Sequence, residues 1–504
     1  MEFRSISLVR SALFALSVFV CGASFLSAQS STALAARSAA DASAKDDRLF
    51  QQATTALQNG SLAEARSLLT QLRARHPHDF PIDESLGLAC AQQGDLKSAL
   101  AYLRAATEDD PGSAVAQANL GTAYLKMQQN EAAVKALETS VQLDPSNAST
   151  QAALGQALML TKQPKAAVAP FRAALKQNAD DPGLLYNTAL AEFQAGDAAA
   201  AEPLLARMPG AEDSAEAQSL FGDVDESLAK YEDAARHYAN AARLDPSEAN
   251  VFLLGVEFLR HWTFDPAIKE FEAGVKSFPQ STRMQVGLGV AYYGGSYYDK
   301  AIPIFADLLQ KSPDNSLYAE LLGRDCTVLT EGIRPECASL VSFAERHPDN
   351  AVIATYAATS ILHQPQGQQQ LETARALLMN ALHANPRMAQ AQFAMGLLLQ
   401  LENQWKESIS PLETAIQLKP DYATAHYRLA LAYNHNGDKQ QAQQEIALEL
   451  KYTKADRAEV ESRLRSVTTF LVKMQGVQAC NAQVFAPRRN RLHSIAGIFC
   501  APPG

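Results

Sequence analysis

Beyond its amino-terminal stretch the sequence holds no apolar run long enough to cross a bilayer, so no integral membrane span is expected once that stretch is removed. Motifs that carry common chemistries are also missing. There is no G-x-x-x-x-G-K-[ST] to cradle phosphates, no H-E-x-x-H to hold a catalytic zinc and no G-x-S-x-G nucleophile turn. Gly287-Leu288-Gly289 begins like a dinucleotide fingerprint, but the third glycine is absent and no strand pattern precedes it. The ten histidines do not gather. His76 and His78 flank Pro77, and His426 and His435 fall on opposite sides of one helical stretch. None of the six cysteines forms C-x-x-C, which leaves structural zinc and thioredoxin-like chemistry without support. No cofactor, metal ligand or catalytic residue is therefore expected, and the chain reads as a non-enzyme. Basic charge is in deficit, with 44 Lys and Arg against 54 Asp and Glu and a net charge of −10. Such a chain gains nothing electrostatically from a nucleic-acid backbone, so nucleic acid is not an expected partner. Aromatic residues make up only 7%, which suits close helix packing better than a β-sandwich.

What is present begins with a leader. Arg4 and Arg10 supply a positive start, Ser11 to Leu26 is apolar, and small residues follow. The pattern is that of a secretory signal peptide over residues 1–28, with cleavage after Ala28 or after Ala35. The apolar run is short and interrupted by Gly22 and Ser24, which argues against a retained anchor. Cys21 follows Val18 and Val20 rather than the residues a lipidation box requires. The expected location is periplasmic or secreted, within a bacterial cell envelope. Residues 29–45, rich in Ala and Ser, are expected to be a flexible segment.

The rest of the chain repeats itself. Leu120-Gly121, Tyr124, Ala133, Leu137 and Pro145 return as Leu154-Gly155, Leu158, Ala167 and Phe171, and again as Leu254-Gly255, Phe258, Ala267, Phe271 and Pro279. A further copy is Leu288-Gly289, Tyr292, Ala301, Phe305 and Pro313. The period is 34 residues between adjacent copies. Within one copy Leu120, Gly121 and Tyr124 share one helical face. The pattern breaks near Gln128–Asn130, and a second helix carries Ala133, Leu137 and Ser140 inward until Pro145 stops it. A glycine inside a helix costs about 1 kcal/mol against Ala. That cost is offset if the missing side chain lets the partner helix come close, and Ala133 would do the same from the other side. One helix pair cannot bury both its faces, so neighbouring copies must stack.

This pattern resembles the tetratricopeptide repeat (TPR) family, whose signature places W, L-G, Y, A, F and P in this order. The resemblance implies an all-α, right-handed superhelical solenoid. About twelve helix-turn-helix repeats are expected over 46–456, followed by a capping helix at 457–476 and a flexible tail at 477–504. Repeats fall at 46–79, 80–113, 114–147, 148–181, 182–214, 215–247, 248–281, 282–315, 316–349, 350–388, 389–422 and 423–456. Three depart from the pattern: 182–214 is short near Met208-Pro209-Gly210, 316–349 lacks the small residue opening its second helix, and 350–388 carries an insertion, His363 to Leu371, between its helices.

The resemblance also implies that first helices line a concave face. The fifth, ninth and twelfth places of each repeat would then offer Tyr186, Leu190 and Phe193, then Phe252, Val256 and Leu259, then Val286, Val290 and Tyr293. Further along they offer Phe393 and Leu397, then Tyr427, Leu431 and Asn434. Asn187 and Arg428 occupy the sixth place, but Ala394 stands where a carboxylate-gripping clamp would need Asn. Such an apolar and aromatic face suits an extended peptide or a partner helix. Part of the row would equally pack against the next repeat.

Cys326 and Cys337 face each other across one expected hairpin and either bridge or remain core thiols; Cys480 and Cys500 would close a loop in the tail; Cys90 is expected to be a buried single thiol. The reading that follows is a non-catalytic protein–protein interaction scaffold with a protein or peptide partner. Any membrane association would be peripheral, through partners. The alternatives are an accessory subunit of an envelope secretion, pilus or outer-membrane assembly machine, and, further off, a glycan-acting enzyme.

Overall fold

A computed structural model of the 504-residue chain describes residues 44–328 and 334–455. The expected signal peptide, almost all of the segment 29–45, the expected cap at 457–476 and the expected tail with Cys480 and Cys500 lie outside the described residues. Every regular element among the described residues is a helix, and none is a strand. The chain divides into two compact units, Met1–Lys230 and Tyr231–Gly504.

In the first unit the helices pair as hairpins: Ala44–Gln58 with Leu62–Arg75, Phe80–Gln93 with Leu96–Asp109, and Ala114–Lys126 with Asn130–Leu143. Ala148–Leu160 then pairs with Pro164–Leu175, and Pro182–Gln194 with the shorter Ala198–Arg207, after which the helix Ala215–Ser227 follows. Helix starts are written in the sequence. Asp79, Asp95, Ser113, Asn147, Asp181, Asp197 and Ser214 each precede a helix and accept a hydrogen bond from a backbone N–H in its first turn. Each such cap is worth about 1 kcal/mol. The turn inside each hairpin needs one left-handed residue, which is glycine at Gly60, Gly94 and Gly196 but Gln128 and Lys162 in the hairpins between.

The helical glycines explain the closeness of the pairs. A methyl group built on Gly121 would lie 2.5 Å from Leu137 Cγ, and one on Gly155 2.7 Å from Phe171 Cδ1. Leu137 and Phe171 are buried, with Ala133 and Ala167 fully enclosed beside them. The second helix thus presses a large side chain into the notch that each glycine leaves. The short helix Ala198–Arg207 ends at Met208, and after left-handed Gly210 a single 3-10 turn, Ala211–Asp213, buries Ala211 in place of the missing turn.

The second unit runs Tyr231–Leu244, Glu248–Arg260, Phe264–Ser277, Thr282–Gly294, Tyr298–Lys311 and Ser316–Val328. It continues through Ser339–Arg346, Ala351–His363, Gln368–Ala384, Ala389–Leu401, Ile409–Leu418 and Ala423–His435. A last helix from 439 reaches the edge of the described residues. One continuous core extends from Ala234 to Leu398, and a smaller one gathers Leu412, Leu429, Tyr433 and Ala442. The notch recurs, with Gly255 against Phe271, Gly289 against Phe305 and Gly396 against Leu412.

The structure corrects the expected insertion at 350–388. His363 still belongs to the first helix, and Gln368 to Leu371 open the second, so only 364–367 bridge them. The helix Gln368–Ala384 is correspondingly long, at 17 residues. A fourth repeat, 389–422, is also irregular. Its second helix begins only at Ile409, after a turn in which buried Ser408 donates its hydroxyl to the Trp405 carbonyl at 2.7 Å. Trp405 lies flat on His435, with ring centroids 3.7 Å apart.

Candidate partner-binding face

The candidate residues sit on the first helix of their hairpins. Their burial varies with how much of each side chain the adjacent helix covers. In the first unit Tyr186 is buried with Ala189, Ala201, Leu205, Leu220 and Val224, so it is a core residue. Asn187 is buried next to it, while Leu190 and Phe193 flank that cluster and stay half-buried.

In the second unit Phe252, Val256, Leu259, Val286 and Val290 are half-buried against the main core. Phe252 meets Phe271 edge-on at 5.9 Å, and the Arg283 guanidinium lies over its ring at 5.2 Å. Arg283 is itself held by Glu248 at 2.6 Å. Tyr293 packs edge-on against Tyr298 at 5.6 Å, and burial pushes its hydroxyl above the ordinary tyrosine range. Phe393 rests on Tyr422 at 4.9 Å, and burial pushes the Tyr422 hydroxyl up to about 12. Leu397 is buried in the core, Arg428 and Leu431 are half-buried, and Tyr427 and Asn434 are exposed. The twelfth place of that repeat, Gln400, turns inward. Its amide donates to the Arg428 carbonyl at 2.8 Å and so ties successive first helices together.

Polar residues on first helices add what the apolar row left out. Asn119 donates to Glu84 at 3.2 Å across successive first helices. Burial pushes the Glu84 carboxyl up to about 7, although the Asn119 hydrogen bond works the other way. Asn119 stands at the same place in its repeat as Asn187 and Arg428, so the register alone would have found it. Glu192 is buried and paired with Arg172. Glu257, fully enclosed, pairs with His261 at 3.1 Å and Arg260 at 3.5 Å.

Cys326 and Cys337 are joined by a disulfide, with Cα atoms 6.0 Å apart, and Cys90 is a free, buried thiol. Next to the bond, Asp325 is fully enclosed and neither carboxylate oxygen has a hydrogen-bond partner. Burial pushes its carboxyl up to about 8. Ala291 holds this place in the preceding repeat and Ala123 in an earlier one, so an acid here stands where the fold accepts a methyl group.

Family models agree with this architecture. A tetratricopeptide repeat model matches residues 50–114, 163–217 and 252–316, a second matches 91–158, and a TPR repeat model matches 401–437. Comparison with curated proteins gives no match. Among solved structures, a chain of the Naa15/Naa10 assembly bound to HypK-THB is 17% identical, with 85% of this chain and 68% of that chain covered at a TM-score of 0.37. The APC/C hetero-tetramer Cut9-Hcn1 gives 14% identity, 84% and 96% coverage and a TM-score of 0.35. PilF of Pseudomonas aeruginosa gives 20% identity, 41% and 94% coverage and a TM-score of 0.34. The tetratricopeptide repeat matches together take in more than half of the sequence, on hairpins whose glycine notches and knobs follow the same register, and the chain belongs to the tetratricopeptide repeat family.

Proposed function

We propose that the protein is a non-catalytic interaction scaffold of the bacterial cell envelope that holds a peptide or partner helix on the first-helix face of its repeats. The observation that carries this reading is the row of half-buried apolar and aromatic side chains on successive first helices of the second unit. Phe252, Val256, Val290 and Tyr293 lead it, and Tyr427 stands exposed further along the chain. Half-buried side chains of this kind have one side fixed by the core and one side open to a ligand, which lowers the entropy lost on binding. The envelope assignment is supported by the leader pattern at 1–28 and by the Cys326–Cys337 bond, since disulfides persist in oxidising compartments.

The test is an affinity pull-down of the processed protein from envelope fractions, run with variants of opposite faces. Phe252→Ala and Tyr427→Ala should weaken capture of the same polypeptide by about tenfold each, as truncation of a contact residue does. Met379→Ala, exposed on the second helix Gln368–Ala384, should leave capture unchanged. Equal loss from all three variants, or none from the first two, would overturn the assignment of the face.

A further inference from the structure

The repeat at 316–349 departs from its neighbours in ways that converge on one bond. Its second segment is a 3-10 turn, Pro335–Ala338, and an 8-residue helix, Ser339–Arg346, where the preceding repeat has the 14 residues of Tyr298–Lys311. At the spacing that sets Phe271 behind Gly255 and Phe305 behind Gly289, this repeat has Ser339 behind Gly323. The room beside Gly323 is taken instead by Tyr356 of the following helix, Ala351–His363. Ser316–Val328 accordingly packs on Tyr298–Lys311 before it and Ala351–His363 after it, and little on its own second segment. An isolated helix of eight residues does not hold itself in water. Leu340, Phe343 and Ala344 anchor this one in the core, and the Cys326–Cys337 bond ties it to the first helix.

We propose that the Cys326–Cys337 disulfide is a redox-sensitive staple that substitutes for the missing side-chain knob, so that its reduction releases Pro335–Arg346 from Ser316–Val328 while the flanking repeats stay folded. The chemistry is exchange with a dithiol reductant. One reductant thiolate attacks a sulfur of the bond and forms a mixed disulfide, and the other cysteine leaves as a thiolate. The second reductant thiolate then displaces the attacked cysteine. Two electrons pass to the protein, both cysteines take up protons to become thiols, and the dithiol ends as its own disulfide. Both cysteines are buried, so attack waits on local opening of the segment. The staple is therefore closed in an oxidising compartment and responds to a reducing one over a time set by that opening.

Hydrogen exchange of the full chain, read by mass spectrometry with and without dithiothreitol, tests this. Amides of residues 335–346 should exchange about a hundredfold faster after reduction, the change that follows from freeing a closed loop of this size. Peptides from 298–311 and 409–418 should be unaltered. The double variant C326S/C337S should match the reduced protein and show no response to dithiothreitol. Unchanged exchange in 335–346 after complete reduction would overturn the proposal, as would loss of protection along the whole chain. A dithiothreitol response that survives in C326S/C337S would also overturn it, since it would place the sensitive bond elsewhere.

Discussion

Gly289→Ala separates two physical effects of opposite sign. Alanine is the better helix former by about 1 kcal/mol, so on propensity alone the variant is stabilised. The structure says the reverse. The added methyl would lie 2.7 Å from Phe305 Cε1 and closer still to Cζ, and Phe305 is fully enclosed. Its neighbours Ala301, Ile302 and Leu308 are enclosed too, so the ring is shielded from solvent on the side away from Gly289. Overpacking of this kind costs about 1–3 kcal/mol, and the clash lies at the upper end because it falls on a ring rather than on the free end of a flexible chain. The net expectation is a loss of about 1–2 kcal/mol. Urea unfolding followed by far-ultraviolet circular dichroism gives the midpoint, and hydrogen exchange over 282–311 localises the effect, which is needed because repeat arrays unfold by segments. In a Phe305→Ala background the notch is empty, so Gly289→Ala should become neutral or stabilising, with a coupling energy of about 2 kcal/mol between the two sites. A stabilised single variant, or additive effects in the double, would refute the notch-and-knob account.

Two further outcomes follow from single residues. Lys162 is exposed and holds a left-handed turn at φ 59 that glycine holds in the hairpins on either side of the pair, so Lys162→Gly should raise stability by about 1 kcal/mol in the same urea assay. Asp325→Ala should be stabilising near neutral pH. Its folded carboxyl titrates at about 8 whereas an unfolded aspartate titrates near 4, so the folded state holds a proton that the unfolded state has lost. Stability from this group is therefore full below about pH 4, declines as pH rises towards 8, and stays low above it. The alanine variant should remove that slope and gain on the order of 3 kcal/mol at pH 7, read as unfolding midpoints across pH 4 to 9. Equal slopes for the two proteins would show that Asp325 keeps an ordinary carboxyl.

The fold was legible because its rule is local and repeated. A glycine in one helix and a Leu or Phe in the next, at one spacing, announce the hairpin, and at Asp79, Ser113, Asn147 and Asp181 a capping residue marks where the first helix starts. Less legible were positions where residue type and role disagree. Gln128, Lys162 and Trp262 take left-handed turns that nothing in their chemistry signals. Asp325 and Glu257 lie enclosed where alanine is the rule, a placement that hydropathy argues against. The delayed second helix of 389–422 depends on Ser408 bonding the Trp405 carbonyl, a competition between side chain and backbone that periodicity cannot see. On the candidate face the register placed residues on the first helices of their hairpins but could not rank them by burial. Whether Tyr186 points to core or solvent depends on Leu205 and Leu220 of the adjoining helices closing over it.

The central claim is that a polypeptide lies on the first-helix face. Its most direct measurement is site-specific photocrosslinking in whole cells that express the protein, with the reactive side chain placed at Val290 or Tyr427 on first helices and at Met379 on a second helix. The account predicts that one polypeptide is captured from Val290 and Tyr427 and not from Met379. Capture from Met379 alone, or equally from all three positions, would contradict it.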